Sequence, residues 1–304
     1  MNKNKEQIQA EWLKKADLLT ETLPFMKRYA NKVIVVKFGG NAMGKKEYVS
    51  SFAEDIVLLQ QVGMLPIVVH GGGPQIGEML SKLKIKTEFI DGLRVTDSET
   101  IDVVEMVLSG VTNKSIVTAI SNAGAKAVGI SGKDGNLITA KRLMKIDENS
   151  DSNVERAIDL GFVGVPKKID TQVIKALINE KMIPVIAPVG MGEDGLTYNI
   201  NADTAAGAIS ASMKASRMIM LTDVSGVLDK NRKLIPELTI NEALALIKDK
   251  VVVGGMIPKL RTCIDAVEGG AEASVIMDGT IPHSLLLELF TEHGVGTIIR
   301  KNHS

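Results

Sequence analysis

Six short apolar runs set the limits on what this chain can fold into: VIVVKF at 33–38, LPIVVH at 65–70, AVGIS at 127–131, IPVIAPV at 183–189, RMIMLT at 217–222 and ASVIMD at 273–278. Each is strand-sized and apolar at nearly every position, as expected of a strand covered on both faces. Between them lie segments with helical spacing, at 47–62, 74–83, 98–122, 169–181, 202–214, 239–247 and 259–269. Strands alternating with helices predict an α/β fold with a mainly parallel sheet, right-handed crossovers and helices on both faces.

Two polar insertions, 84–96 and 135–166, interrupt this rhythm, and their Gly, Asp and Asn residues predict hairpins and an irregular loop with a mobile tip at 147–153. Residues 1–30 stand apart: Ile8, Trp12, Leu18, Leu19 and Leu23 form one apolar stripe, and Pro24 is expected to break or kink the helix. Such a stripe needs a partner, either its own domain or another subunit.

Composition narrows the classes. The 304 residues are 45% hydrophobic, enough for a substantial core, and 36 Lys and Arg balance 36 Asp and Glu. No broad electropositive surface for nucleic acid is therefore expected, and any anion site has to be local. A single cysteine, Cys263, excludes an internal disulfide framework, and four scattered histidines do not form a zinc cluster. The charged N-terminus lacks the apolar core of a signal peptide, and the apolar runs fall short of the roughly 20 residues of a bilayer span. The expected location is the cytoplasm, with no membrane partner.

Several motifs carry chemistry. Lys37-Phe38-Gly39-Gly40-Asn41 ends the first strand in a turn whose glycines let backbone N–H groups approach a phosphate beside the lysine. The overlapping G-x-x-x-x-G-K from Gly39 to Lys45 is followed by Lys46 and not Ser or Thr, so it lacks the hydroxyl that a P-loop places on magnesium. Gly190 to Gly195 formally fits G-x-G-x-x-G, but LTYNI follows instead of a helix, so a hairpin turn is the better reading. In His70-Gly71-Gly72-Gly73-Pro74-Gln75 a strand runs through three glycines into a helix N-terminus, which makes an anion seat. Arg94 in DGLRVTD can present a planar fork to a carboxylate, although alone it reads as a surface ion pair.

Asn199, Asn201 and Asp203 alternate onto one side of a strand-to-helix junction. Capping accounts for one of the three, and an Asp near lysines would hold their ammonium groups. Thr222 to Asp229 follows a buried strand and is placed to edge a purine pocket. Gly254-Gly255-Met256-Ile257-Pro258-Lys259 puts Lys259 in a first helical turn, where N–H groups favour phosphate.

Taken in order, KFGGNAM, VVHGGGPQI, DGLRVTD, YNINADTAA, LTDVSGVL and GGMIPKL resemble the amino acid kinase family, and within it the branch that acts on N-acetyl-L-glutamate, over nearly all of residues 31–300. The resemblance implies an open three-layer αβα sandwich with an acyl-amino-acid lobe at 31–190 and an ATP lobe at 191–304, preceded by an arm at 1–30. It implies ATP-dependent phosphorylation of the side-chain carboxylate of N-acetyl-L-glutamate, in arginine biosynthesis. Lys37 and Lys259 match the lysines that stabilise the transferring phosphoryl group, and Asp203 matches the aspartate that organises them. Gly72, Gly73, Arg94 and Asn199 match substrate-binding positions. Gly39, Gly40, Thr222, Asp223, Ser225, Gly226, Leu228, Gly255 and Met256 match the nucleotide side.

An ionised carboxylate acceptor needs no general base, and Mg2+ is expected to ride on the nucleotide phosphates, with no dedicated metal site. The N-terminal helix, with HSLLLELF at 283–290 and Gly294-Val295-Gly296-Thr297, is similar to the arginine-inhibited members, hexamers built as trimers of dimers. An L-arginine site near His283, Glu288 and Gly294 is the corresponding expectation. Carbamate, uridylate and glutamate 5-kinases share parts of the pattern, and a catalytically dead amino-acid sensor is the alternative from another class.

Overall fold

A computed structural model describes residues 5–146 and 157–303, so the expected tip at 147–153 lies outside the described residues. In chain order, α1 (Lys5–Tyr29), β1 (Val33–Phe38), α2 (Lys46–Gln61), β2 (Leu65–His70) and α3 (Gly73–Leu83) lead to a small hairpin, β3 (Phe89–Ile90) and β4 (Leu93–Arg94). Next come α4 (Ser98–Glu105), a π-helical stretch (Met106–Thr112), α5 (Asn113–Asn122), β5 (Ala127–Ser131), β6 (Ile138–Ile146) and β7 (Ala157–Ile169). They are followed by α6 (Gln172–Asn179), β8 (Ile183–Ala187), β9 (Val189–Gly192), β10 (Thr197–Ile200), α7 (Ala202–Met213) and β11 (Arg217–Thr222). The chain closes with β12 (Glu237–Thr239), α8 (Ile240–Lys248), α9 (Met256–Glu268), β13 (Ser274–Asp278), α10 (Ser284–Phe290) and β14 (Thr297–Arg300).

Eight strands form one sheet in the order β12-β14-β13-β11-β1-β2-β8-β5, parallel except where β14 runs against β13. All six apolar runs contribute a strand to it. Residue alternation divides their side chains between two faces. Ile34, Val36, Phe38, Val68, Ile219 and Leu221 pack with α2, α5 and α10. Val35, Ile67, Val69, Met218 and Met220 pack with α7 and α9. Helices therefore cover both faces, as the sequence pattern predicts.

Three departures matter for the site. The polar insertion at 135–166 contributes β6 and β7, which close with β9 and β10 into a four-stranded barrel beside the main sheet. The apolar run at 183–189 splits at Pro188, with β8 in the sheet and β9 in this barrel. Pro24 does not end α1, which continues to Tyr29, and the stripe residues Trp12, Leu18, Leu19 and Leu23 are exposed.

The run Ser98–Asn122 is long and apolar enough by composition to cross a membrane. It is a core helix here: Val104 and Leu108 pack with α3, and Ile116 and Ile120 lie against the sheet.

The approach of α7 to α9 is set by a missing side chain. A Cβ on Gly207 would lie 2.9 Å from Thr262 Cγ2, so glycine lets the two helix backbones come close. Gly207→Val is expected to destabilise the fold by about 1–3 kcal/mol through overpacking, read from urea unfolding; an unchanged midpoint would show that the helices have slack.

Candidate active site

Alternation along β1 decides where its one lysine goes. Lys37 shares the parity of Val35 and so emerges on the α7 side of the sheet, at the strand's C-terminal end. Its Nζ meets Asp203 Oδ1 at 2.9 Å, an ion contact without hydrogen-bond alignment, and its side chain is only 9% exposed. Asp203 stands in the first turn of α7. Asn201 precedes it as N-cap, with Oδ1 accepting from the N–H groups of Asp203 and Thr204, so the Asp203 carboxylate is not used for capping. Lys259, in the first turn of α9, donates from Nζ to Asp203 Oδ2 at 2.8 Å. One carboxylate thus holds two ammonium groups from strands and helices far apart in sequence. Burial pushes the Asp203 carboxyl up, but the facing charges of Lys37 and Lys259 outweigh it and hold the group below the usual carboxylate range.

This bridge forms part of the wall of a cavity of about 310 Å³, which also includes Gly40, Gly71, Gly72, Gly73, Arg94 and Asn199. The two glycine turns that end β1 and β2 lie side by side, with Gly71 N–H donating to Phe38 O at 2.8 Å. A Cβ on Gly39 would sit 3.0 Å from Lys37 Nζ, so that turn is kept bare beside the ammonium.

Arg94, nearly buried on the β3–β4 hairpin, donates to Thr87 Oγ1 and Gly73 O and lies 4.4 Å from the Phe89 ring centroid. Two of its five N–H donors are committed by these bonds, which fix the guanidinium plane. Asn199 Nδ2 donates to Thr96 Oγ1 at 3.4 Å.

The structure brings Lys37, Gly40, Gly72, Gly73, Arg94, Asn199, Asp203 and Lys259 to one cavity. It does not bring the remaining nucleotide-side candidates there. Thr222 ends β11, the neighbour of β1, and donates to Asp223 Oδ1. Ser225 is exposed. Gly226 packs against Thr297, and Leu228 pairs with Leu234 across an isolated bridge. Gly255 and Met256 begin α9, three to four residues before Lys259.

The arginine-site candidates also separate. Glu288 and Gly294 line a cavity of about 340 Å³ with Arg28, Tyr29, Arg217 and Arg300, and Glu288 Oε2 accepts from Val295 and Gly296 N–H. His283 is not in that wall. Its Nδ1 lies 2.6 Å from Asp55 Oδ1 on α2, where burial raises the Asp55 carboxyl to about 6 against the opposing pull of His283. Five residues in sequence part it from Gly294's neighbour Glu288, more than a helical turn, and the αL turn at His283 aims it at α2 instead.

Two residues were passed over by the sequence reading. His70 is fully buried, with Nδ1 2.7 Å from Gly71 O and Nε2 3.2 Å from Asn113 Nδ2. Its place at the head of the glycine run was a signal, but nothing in the sequence pairs it with Asn113.

Burial drives the His70 pKa down to about 4, with Lys114 adding to this and the Gly71 bond opposing it. The unfolded chain then binds one more proton than the folded protein between about pH 4 and 6.5. The His70 contribution to stability is therefore complete above that window and falls by about 3 kcal/mol as pH drops through it. Unfolding free energies measured from pH 4.5 to 7.5 should show this slope in the parent protein and lose it in His70→Asn; parallel curves would place the imidazole in a wetter setting.

Comparison with known proteins identifies the family. The model of the amino acid kinase family matches residues 32–278. The acetylglutamate kinase of Rhodospirillum centenum is 58% identical over 289 residues, 95% of each chain, and that of Gluconobacter oxydans is 60% identical over 285 residues, 94% of this chain and 97% of the relative. Among solved structures, the N-acetylglutamate synthase of Neisseria gonorrhoeae complexed with coenzyme A and N-acetyl-glutamate has a TM-score of 0.82 at 24% identity. That match covers 95% of this chain and 64% of the longer synthase. Carbamate kinase from Giardia lamblia bound to AMP-PNP has a TM-score of 0.63 at 20% identity, covering 90% of this chain and 100% of that one, and both likenesses speak for the fold alone. With its family match, its near full-length relatives and a lysine pair clamped across one aspartate, the chain belongs to the amino acid kinase family and groups with the acetylglutamate kinases.

Proposed function

We propose that this enzyme transfers the γ-phosphoryl group of ATP to the side-chain carboxylate of N-acetyl-L-glutamate, within arginine biosynthesis in the cytoplasm. The observation that carries the reading is the Lys37–Asp203–Lys259 bridge, at 2.9 and 2.8 Å, in the wall of a cavity that also holds the bare glycine turns and Arg94. Phosphoryl transfer asks mainly for alignment and for positive charge around the migrating group, and two fixed ammonium groups flanked by backbone N–H supply both. The acceptor carboxylate is already ionised near neutral pH, so no base has to lie within reach.

A volume of about 310 Å³ suits a small acyl amino acid better than an acyl amino acid and a nucleotide together. Arg94, with its plane fixed and donors to spare, binds the α-carboxylate, and Asn199 serves a polar group of the same substrate. ATP then lies over the 191–304 half, along Gly39, Gly40, the end of β11 from Thr222 to Leu228, and the start of α9 at Gly255 and Met256. The acceptor belongs to the 31–190 half. Asp203 is the carboxylate among the described cavity residues, and both its oxygens meet ammonium groups. Mg2+ therefore travels on the nucleotide phosphates, where it supplies charge neutralisation.

The finer reading includes control by L-arginine, in a homo-oligomer laced as a trimer of dimers by the 1–30 arm. Trp12, Leu18, Leu19 and Leu23 are 46–66% exposed along that arm, an apolar stripe that a second copy would cover. The 340 Å³ cavity at the arm's end offers carboxylates at Glu237, Glu288 and Glu292 and guanidiniums at Arg28, Arg217 and Arg300, so both ends of an amino acid with a cationic side chain find a counter-charge.

An ADP-release assay with N-acetyl-L-glutamate, L-glutamate, carbamate and UMP as acceptors tests the substrate, and turnover confined to another acceptor would reject it. Lys37→Ala or Lys259→Ala is expected to lower kcat by about 100-fold or more with little change in KM for the acceptor; the reverse split would remove the lysines from the chemistry. Saturating L-arginine should inhibit the full chain and not a variant lacking residues 1–30, and equal activity with and without arginine in the full chain would reject the regulatory reading.

A further inference from the structure

We infer that His70 is a positioning residue for phosphoryl transfer: held by Asn113, it locks the Gly71–Gly72 peptide so that its N–H faces the reacting group. The inference rests on the proposed reading of the cavity as the transfer site.

Alternation along β2 sends His70 to the same face as Val68, toward α5 and away from Lys37. There the imidazole has one possible tautomer. A carbonyl oxygen only accepts, so Nδ1, 2.7 Å from Gly71 O, carries the proton. Asn113 Nδ2 also donates to Val185 O at 2.9 Å, while Asn113 Oδ1 faces Lys114 Nζ at 3.2 Å, so the amide nitrogen points at His70 and Nε2 accepts. Burial keeps the ring neutral, as this pairing requires.

The consequence lies in the next peptide. A trans peptide unit is planar, with C=O and N–H on opposite edges. When His70 draws the Gly71 carbonyl inward, the Gly72 N–H is turned the other way, and Gly72 lines the cavity beside Lys37. Among the described residues no backbone acceptor takes this N–H. Gly71–Gly72 is also the peptide most able to flip, having no Cβ on either side. A flipped unit would aim an oxygen at an incoming anion and turn attraction into repulsion. A Cβ at Gly72 is itself excluded by Leu108, so the loop cannot gain rigidity from a larger residue there.

The helix behind the loop is built to deliver both groups. Leu108, Thr112 and Asn113 are all buried, so 113 joins the inward face that 112 already occupies, whereas Val111 is 57% exposed. In a regular α-helix 111 and 112 would follow 108 inward, and 113 would lie about 140° round the helix from 108. The π turn, in which Asn113 N–H bonds back to Leu108 O, adds one residue and rotates Asn113 onto His70 while Leu108 stays under Gly72.

The test compares His70→Leu, which cannot donate to Gly71 O, with His70→Asn, whose amide nitrogen can reach the Nδ1 position. Expected is a kcat loss of about 10-fold or more for His70→Leu, with KM for N-acetyl-L-glutamate changed less than about threefold, and recovery of most of that loss in His70→Asn. Equal kcat in the two variants, or a change confined to KM or to melting temperature, would overturn the inference and leave a packing role. Should His70→Leu fail to fold, 15N NMR of the histidine-labelled parent decides: a protonated Nδ1 with bare Nε2 at His70 is expected, and the opposite tautomer would overturn the proposal. A parent enzyme inactive on N-acetyl-L-glutamate would reject the substrate reading, while the tautomer would still report on the latch.

Discussion

Two ammonium groups do not stay close without a counter-charge, and in this protein one carboxylate provides it. Asp203 holds Lys37 from the first strand of the sheet and Lys259 from a helix more than two hundred residues later. With the carboxylate buried to 14% exposure and yet ionised, each charge makes the others tolerable. The arrangement leaves a net positive site, and in the proposed transfer it would be organised before any phosphate arrives, with little reorganisation left for the reaction itself. The sheet's parallel core, the close approach of α7 to α9 and the cap on α7 all converge on the placing of this single side chain.

The same strand geometry assigns opposite duties to neighbours. Lys37 and His70 end adjacent parallel strands, where His70 pairs in register with Phe38. One position of offset puts Lys37 on the α7 face and His70 on the α5 face. The charged group meets the cavity, while the neutral ring works from beneath the glycine turn. A polar pair such as His70 and Asn113 inside a core costs stability unless both partners are satisfied, and here each nitrogen has a partner.

The main sheet and its covering helices were legible because fully buried parallel strands leave near-continuous apolar runs. The convergence of Lys37, Arg94, Asn199, Asp203 and Lys259 was legible only through the ordered motifs, since no local pattern links residues so far apart. The barrel was not legible: β6 and β7 mix buried positions with exposed ones such as Lys141, Arg142, Lys167 and Lys168 and read as a polar insertion, and β9 is hidden in a run continuous with β8. The strands β12 and β14 have three and four residues, too few to show a period. The π turn was invisible because a one-residue insertion within a 25-residue apolar helix disturbs the spacing less than ordinary sequence variation does. His283 was grouped with Glu288 and Gly294 through likeness to the arginine-inhibited members, whereas the left-handed backbone at His283 points the ring toward Asp55.

Strand β11 gives the two cavities a physical connection. Arg217, at its first residue, lines the 340 Å³ cavity and lies 5.2 Å from the Tyr29 ring centroid, and Met220 on the same strand pairs in register with Lys37. A sheet held by hydrogen bonds on both sides does not stretch, so a ligand at the Arg217 end cannot act by pushing along the strand. It can act only by favouring one arrangement of the whole β11 side, with α7, α9 and α1, over another. Such a change would reach the lysine bridge, because Asp203 and Lys259 ride on the helices while Lys37 is fixed in the strand. The glycine at position 207, which sets how closely those helices approach, is then as much a part of the site's electrostatics as of its packing.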